Sequence, residues 1–407
     1  MTEKTDRKIS VLHISKTFST GGAGFFAKDL SGELQNHGVD SLMAAAKTSK
    51  ESDIITLRNR TAWIFEEILD RFTRFFGYQY PYFPFSKASI ESCVKKLSPD
   101  IVHLHNIHSG FFPFSLLEKL AEKALIVWTI HDMWPFTGHC AVPGQCSEWE
   151  KFCKKCPDLK KYPSTGINRA KKHINRKAQL YEKISDRITF IFPSEDVHMK
   201  YQSKDKIFSN LKTTVIFNGI KNSVFQAVSQ KEARKKLSLP RNRFLFLFTA
   251  EHLSLKTKGG HDLEKIIKYI TQKTHIKTAV LTAGKQSVKY SGMETFHMGY
   301  MPRKLMKYVY SAADIMITPS YGECFGLTIL EAVFCGLPVT GYSTGILPEL
   351  LGPENQAPVG EVRELAEKTF SIIKQKDYQY KLRPLIKKFS LEKCAENYKN
   401  LYEKILY

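Results

Sequence analysis

The amino-acid sequence predicts an α/β chain built on two doubly wound parallel sheets. Three observations lead there. The chain has 407 residues, beyond the roughly 250–300 at which a single core stops growing, so two domains are expected. Short, nearly continuous Val/Ile/Leu/Phe runs recur along it, the pattern of strands covered on both faces. Stretches with apolar residues at helical spacing separate those runs, the alternation of a parallel sheet.

KISVLHIS (8–15) is the first expected strand. A Ser-Thr-Gly-Gly-Ala-Gly turn (19–24) follows it, then a helix, FFAKDLSGELQNHG (25–38). AWIFEEILDRF (62–72) has helical spacing. DIVHLHN (100–106), ALIVWTIHD (124–132), RITFIFPS (187–194) and KTTVIFNG (212–219) complete the first series of strands. The second series opens with FLFLFTA (244–250) as a strand, GHDLEKIIKYITQK (260–273) as a helix and KTAVLTAG (277–284) as a strand. MPRKLMKYVYSAA (301–313) is a helix, DIMITPS (314–320) a strand, GLTILEAVFCG (326–336) a helix and LPVTGYS (337–343) a strand. SLEKCAENYKNLYEKIL (390–406) is a final helix. The expected domains are 1–220 and 221–385, with 386–407 packing back on the first.

Composition narrows the function classes. With 43% apolar and 25% charged residues the chain is neither collagen-like nor disordered. No run reaches the roughly 18–20 apolar residues of a spanning helix. The opening MTEKTDRKISVLHIS lacks the apolar core and cleavage site of a signal peptide, so a cytoplasmic protein is expected. The formal net charge of +21 points to an anionic partner: nucleic acid, a phosphorylated ligand or an anionic membrane. Ten Lys/Arg face a single acid, Asp158, within 151–177, and FTRFFGYQYPYFPF (72–85) holds eight aromatics. A solvated helix face is the ordinary reading of such a charge run. Aromatics beside cations also suit anionic headgroups, though they would equally cap a core or stack on a sugar. No RRM, KH, zinc-finger or helix-turn-helix signature supports nucleic acid.

The densest chemical signal is Glu323-Cys-Phe-Gly-Leu-Thr-Ile-Leu-Glu331, at an expected strand-to-helix turn. Ligands of open α/β sheets bind at the carboxyl ends of strands. The Phe325-Gly326-Leu327 backbone at a helix N-terminus offers free N–H groups and the positive end of a dipole to a phosphate. Gly326 lets that backbone approach closely. Glu331 suits a ribose diol and Glu323 a sugar ring. The segments Tyr310-Ser-Ala-Ala-Asp-Ile-Met-Ile-Thr-Pro-Ser320, Gly322-Glu323, Glu331-Ala332, Cys335-Gly336-Leu-Pro338-Val339 and Thr344-Gly345-Ile346-Leu-Pro348-Glu349, in this order and spacing, resemble the signature of retaining family-four glycosyltransferases.

That resemblance implies the GT-B fold, two Rossmann-like domains facing across a cleft, and transfer of a sugar from a nucleotide-sugar, commonly a UDP-sugar. It implies that Glu323 lies by the donor sugar, Glu331 on the ribose hydroxyls, and the Phe325–Leu327 amides on the diphosphate or sugar. It places Gly21 and Gly22 in a Gly-rich loop near the donor, Lys258 on the diphosphate and His131 beside the reacting sugar. The arginine usual at the strand end is replaced by Ala250-Glu251-His252, and Lys256 is the candidate for the missing charge. His105 could also line the cleft. Retaining transfer in this fold implies no catalytic metal and no cofactor beyond the donor, with a donor phosphate oxygen taking the acceptor proton. No nucleophilic triad or paired-Asp metal motif is present. The segment 350–360 lacks the family's usual loop near the base, so GDP stays open beside UDP.

His131-Asp-Met-Trp-Pro-Phe-Thr-Gly138-His-Cys140, then Cys146, Cys153 and Cys156-Pro157, resembles an insertion of bacterial polysaccharide glycosyltransferases of the colanic-acid type. Cys140, Cys146, Cys153 and Cys156 could hold one structural Zn²⁺; free thiols or a disulfide pair are the rival readings. The resemblance implies a saccharide acceptor, and the basic and aromatic segments suit a lipid-linked one at the inner face of an anionic membrane, in capsule or exopolysaccharide synthesis. The alternatives are a basic membrane- or nucleic-acid-binding protein with a degenerate cleft, or another GT-B enzyme such as a nucleotide-sugar epimerase or a phosphorylase.

Overall fold

The structure, a computed structural model, describes residues 7–46, 53–108, 110–202, 208–274, 276–375 and 383–407. Its strands are β1 (Ser10–Ser15), β2 (Asp40–Ala45), β3 (Ile54–Thr56), β4 (Ile101–Leu104), β5 (Leu125–Thr129), β6 (Ile188–Phe192), β7 (Lys212–Val215), β8 (Phe244–His252), β9 (Thr278–Lys285), β10 (Thr295–His297), β11 (Ile315–Thr318), β12 (Val339–Tyr342) and β13 (Gln356–Ala357). Its helices are α1 (Gly21–Asn36), α2 (Arg60–Phe75), α3 (Pro84–Leu97), α4 (Leu116–Ala121), α5 (Ala170–Lys183), α6 (Glu195–Gln202), α7 (Gln230–Lys236), α8 (Gly260–Lys273), α9 (Arg303–Ala312), α10 (Leu327–Phe334), α11 (Leu347–Leu350), α12 (Val362–Ile373), α13 (Arg383–Lys388) and α14 (Leu391–Leu406).

The chain folds as two compact units. The first takes residues up to Pro193, then Val197–Phe217 and Cys394–Tyr407; the second takes Ser194–Asp196 and Asn218–Lys393. The first is organised by a parallel seven-stranded sheet in the order β3-β2-β1-β4-β5-β6-β7. The order reverses between β1 and β4, so the carboxyl ends of these strands are the natural binding position. Registers Val11↔Ile101 and His13↔His103 set two histidines side by side there. The second has its own parallel six-stranded sheet, β10-β9-β8-β11-β12-β13, with the reversal between β8 and β11. Each is a Rossmann-like α/β unit.

The cores follow from the strand composition. Every residue of β4, β5 after its first, and β6 is buried, as near-continuous apolar runs require in a parallel sheet. Trp128, Phe136, Tyr181 and Phe190 pack mutually, with ring centroids 5.0–6.2 Å apart in the pairs Tyr181–Phe190 and Phe136–Tyr181. The last helix belongs to this core: Tyr398 and Tyr402 are fully buried, and their hydroxyls bond Thr129 Oγ1 (2.8 Å) and His103 Nδ1 (2.7 Å).

Two elements depart from the sequence reading. The basic stretch 151–177 is helical only from Ala170; before it the chain runs in turns, because Pro157, Pro163 and Gly166 interrupt it. Helix α2 has its faces reversed. Its buried positions are Ala62, Glu66 and Asp70, and its outward positions include Trp63, Phe65, Ile68, Phe72 and Phe75. Arg58 donates to Glu66 Oε2 at 3.2 Å and to the Gly110 carbonyl at 3.0 Å, with both charged side chains excluded from solvent. Ser86 N donates to the other Glu66 oxygen at 2.9 Å. A buried carboxylate so fully bonded is tolerable, and it anchors the helix by its polar side.

Candidate active site

In the second unit the site lies where β8 and β11 end. After β11 the chain passes Pro319 and Ser320 into the turn 321–326 and then α10. Gly326 is the N-cap of α10 with φ +95°, a conformation that favours glycine, and a Cβ there would stand 2.8 Å from Ile329 Cδ1. No side chain caps the helix, so its first-turn amides point outward with the positive end of the dipole. Phe325 is buried, and its carbonyl accepts from Ile346 N at 2.8 Å. The Thr344-Gly345-Ile346 loop thus clamps the turn, and a Cβ on Gly345 would come within 2.5 Å of that same carbonyl.

A second loop meets the first. After β8 a short 3₁₀ turn, Lys256–Lys258, leads through Gly259 (φ +72°) into α8. A Cβ on Gly259 would overlap the Pro319 carbonyl at 1.9 Å, and Tyr321 N donates to Thr257 O at 2.8 Å. These contacts bring together two residues 65 positions apart: Lys258 Nζ donates to Glu323 Oε1 at 2.5 Å, with side chains 28% and 18% exposed. Glu331, on the first turns of α10, accepts at Oε2 from the Tyr310 hydroxyl at 2.6 Å. That hydroxyl is buried, so it orients the carboxylate. Lys256 is exposed on the same turn as Lys258. Glu251, where an arginine is usual, pairs with Lys285 from the end of β9 at 2.7 Å. A cation therefore stands beside the acid at this strand end, from a residue the sequence reading did not single out.

Asp262, in the first turn of α8, was also missed. It is 2% exposed and accepts at Oδ2 from both Tyr321 (2.6 Å) and Tyr342 (2.7 Å). It ties β12, α8 and the 321–326 turn together. Its signal was an acid at the start of a helix, which reads equally well as a favourable interaction with the helix dipole.

In the first unit, Gly21 (φ +69°) and Gly22 form the opening of α1, whose N-cap Thr20 makes no side-chain cap. Phe26 of α1 packs edge-on against His131, ring centroids 5.6 Å apart, which places the Gly21–Gly22 turn in the same neighbourhood. His131 follows β5 and retains some accessible surface. Desolvation lowers its pKa to about 4, against the opposing pull of Asp132. Asp132 is turned elsewhere: its Oδ2 is 3.1 Å from His108 Nε2, and Oδ1 accepts from Trp134 N at 3.0 Å. His105 Nδ1 is 3.0 Å from His131 Nε2.

The four cysteines occupy one irregular stretch. Cys153 Sγ accepts from Gly138 N at 3.2 Å, Cys156 Sγ lies 3.4 Å from His139 Nδ1, and burial pushes the Cys140 thiol up to about 12. None of the eight cysteines forms a disulfide. Among the described residues, the group of three ligand atoms drawn within 4.8 Å of one another is His13, His103 and His105. The four thiols do not form such a group.

The chain is similar to known proteins over both units. The family model for Glycosyltransferase Family 4 matches residues 20–223, and that for Glycosyl transferases group 1 matches residues 229–389. WcaC of Escherichia coli, a glycosyl transferase assigned to colanic acid biosynthesis, is 25% identical over 331 residues, covering 75% of this chain and 77% of its own. Among solved structures, sucrose-phosphate synthase of Thermosynechococcus elongatus superposes with a TM-score of 0.70 at 18% identity, covering 98% of this chain and 99% of its own. Anabaena HepE in complex with UDP and glucose does so at 0.65 and 13% identity, covering 97% and 100%. Such likenesses show the fold, GT-B, with its two Rossmann-like parallel-sheet domains. With one model spanning half of the chain and the other most of the remainder, this chain belongs to glycosyltransferase family 4 and is a glycosyltransferase.

Proposed function

We propose that the chain transfers a hexose-type sugar, with retention, from a UDP-sugar to a lipid-linked saccharide at the inner face of an anionic membrane, in capsule or exopolysaccharide assembly. The observation that carries this reading is the Lys258–Glu323 pair at 2.5 Å beside the uncapped N-terminus of α10. A diphosphate placed there meets a cation and free amides, and the charge that grows on it as the sugar departs is stabilised by groups already in position. Glu323 accepts hydrogen bonds from sugar hydroxyls, Glu331 accepts from the ribose, and a donor phosphate oxygen takes the acceptor proton. Lys256 adds charge near the diphosphate. His131 and the Gly21–Gly22 turn are assigned to the reacting sugar. The donor class draws support from HepE, which is bound to UDP and glucose, and from the pneumococcal O-GlcNAc transferase GtfA, bound to UDP and GlcNAc.

The membrane part rests on the first unit. The outward aromatics of α2 stand beside a surface cavity of about 440 Å³ lined by Arg71, Arg74, Lys160, Ser164 and Thr165. Cations and hydroxyls around an open cavity suit a phosphate headgroup, and aromatics beside them suit the headgroup boundary. No described helix is long and apolar enough to cross a membrane. Zinc in the cysteine stretch is proposed on residue spacing alone; elemental analysis of the purified chain should find about one zinc per molecule, and a zinc-free protein of full stability refutes it.

A thermal-shift screen against UDP, GDP and their sugars tests the donor assignment. At a hundredfold excess over Kd, UDP should stabilise the chain by about 2.7 kcal/mol, seen as a rise in Tm, with GDP giving less. A Tm that no nucleotide moves would remove the reading.

A further inference from the structure

Three histidines form a stacked, hydrogen-bonded row at the carboxyl ends of β1, β4 and β5. His13 Nδ1 lies 3.1 Å from His105 Nε2, and His105 Nδ1 lies 3.0 Å from His131 Nε2. The rings are nearly parallel, 17° between the first pair and 22° between the second, with centroids 5.4 and 5.2 Å apart. His13 and His105 are buried. The neighbouring His103 stands outside the row, because both its nitrogens are taken, by Tyr402 and by Thr129, each at 2.7 Å.

Burial keeps the row uncharged. Desolvation lowers His13 to about 3 and His131 to about 4, and pulls His105 well below its ordinary value. A neutral imidazole carries one N–H and one lone pair, so the protons in the row must all point the same way. Two orders are possible, and the far end distinguishes them. His13 Nε2 is buried with no hydrogen-bond partner. If the protons ran inward from His131, that nitrogen would carry an N–H with nothing to receive it. If they run outward, it carries only a lone pair. Orphaned buried N–H groups are the rarer kind.

We propose that His13 and His105 are positioning residues that hold His131 in one tautomer, with Nε2 accepting from His105 and Nδ1–H presented as a donor. His131 then donates a hydrogen bond to an oxygen of the bound sugar or its phosphate and does not take the acceptor hydroxyl's proton, since its basic nitrogen is occupied. This consequence rests on the glycosyltransferase reading; the tautomer itself does not.

The test is ¹⁵N spectroscopy of the full chain labelled at histidine, near neutral pH and without ligand, the His131 signals being identified by their loss in His131→Gln. The wild type should show His131 with a protonated Nδ1 and a bare Nε2. His105→Gln, whose amide donates to His131 and whose carbonyl accepts from His13, should preserve that pattern. His105→Leu should turn it into an averaged mixture of both tautomers. A wild-type His131 protonated at Nε2 overturns the proposal, and so does an unchanged His131 spectrum in His105→Leu. Should the leucine variant not fold, the wild-type and glutamine spectra decide alone. Failure here leaves the nucleotide thermal shift untouched, so the two readings fail separately.

Discussion

Lys258→Ala is expected to lower kcat/KM for the nucleotide-sugar by about 10²–10³-fold, the range seen when one preorganised charge-stabilising donor is removed. On the proposed donor assignment two effects combine: the variant loses the ammonium that would meet charge growing on the departing diphosphate, and it leaves Glu323 without this cation beside an anionic ligand. In the wild type the two neutralise each other at 2.5 Å. Glu323→Gln separates the effects: it frees Lys258, so donor KM should stay level or fall while kcat drops. The double substitution should cost less than the two single losses multiplied together, because the repulsion from Glu323 disappears with its charge. Nucleotide release from the nucleotide-sugar, measured by a coupled assay at saturating acceptor, gives all three values. A folded Lys258→Ala protein within threefold of wild type would sink the role.

Much of this architecture was legible in the sequence, for a physical reason. β5 and β6 are buried on both faces, and continuous Ile/Val/Phe runs admit few other environments. β2 was not read because its DSLMAA composition has little β preference; tertiary pairing with β1 makes it a strand. β3, β10 and β13 are two or three residues long, too short to show a period. The turn around Gly326 was readable from its glycine before a helix, while the meeting of Lys258 and Glu323 was not, since it depends on Gly259 passing against the Pro319 carbonyl. Tyr310 lay within the quoted motif, yet its hydroxyl on Glu331 is a through-space contact. His105 and His131 are legible in the sequence as cleft candidates at strand ends. His13 is not, because a histidine inside the first strand reads as core; only the register with β4 turns it into the inner end of a row.

The reversed helix gives the largest effect expected in the first unit. An ordinary surface helix turns its apolar stripe to the core. In α2 the inward stripe is Ala62, Glu66 and Asp70, held by Arg58, Ser86 and Arg74, while Ile68, Phe72 and Phe75 are 63%, 62% and 67% exposed. The ionic anchoring fixes which side faces out, so this is no helix awaiting rotation into a core. Replacing these three residues together by Ser should leave Tm nearly unchanged, because they make little of the core. Binding to vesicles of phosphatidylglycerol and phosphatidylethanolamine should fall by at least about 100-fold, given about 1.5–3 kcal/mol for full burial of each side chain and only part of each immersed. Raised salt should weaken wild-type binding only partly: it screens Arg71, Arg74 and Lys160 but not the aromatic contribution. A triple variant that co-sediments with such vesicles as the wild type does would assign the aromatic face to something other than a bilayer. A concentration-dependent dimer lost in the same variant would identify a second copy of the chain as its cover.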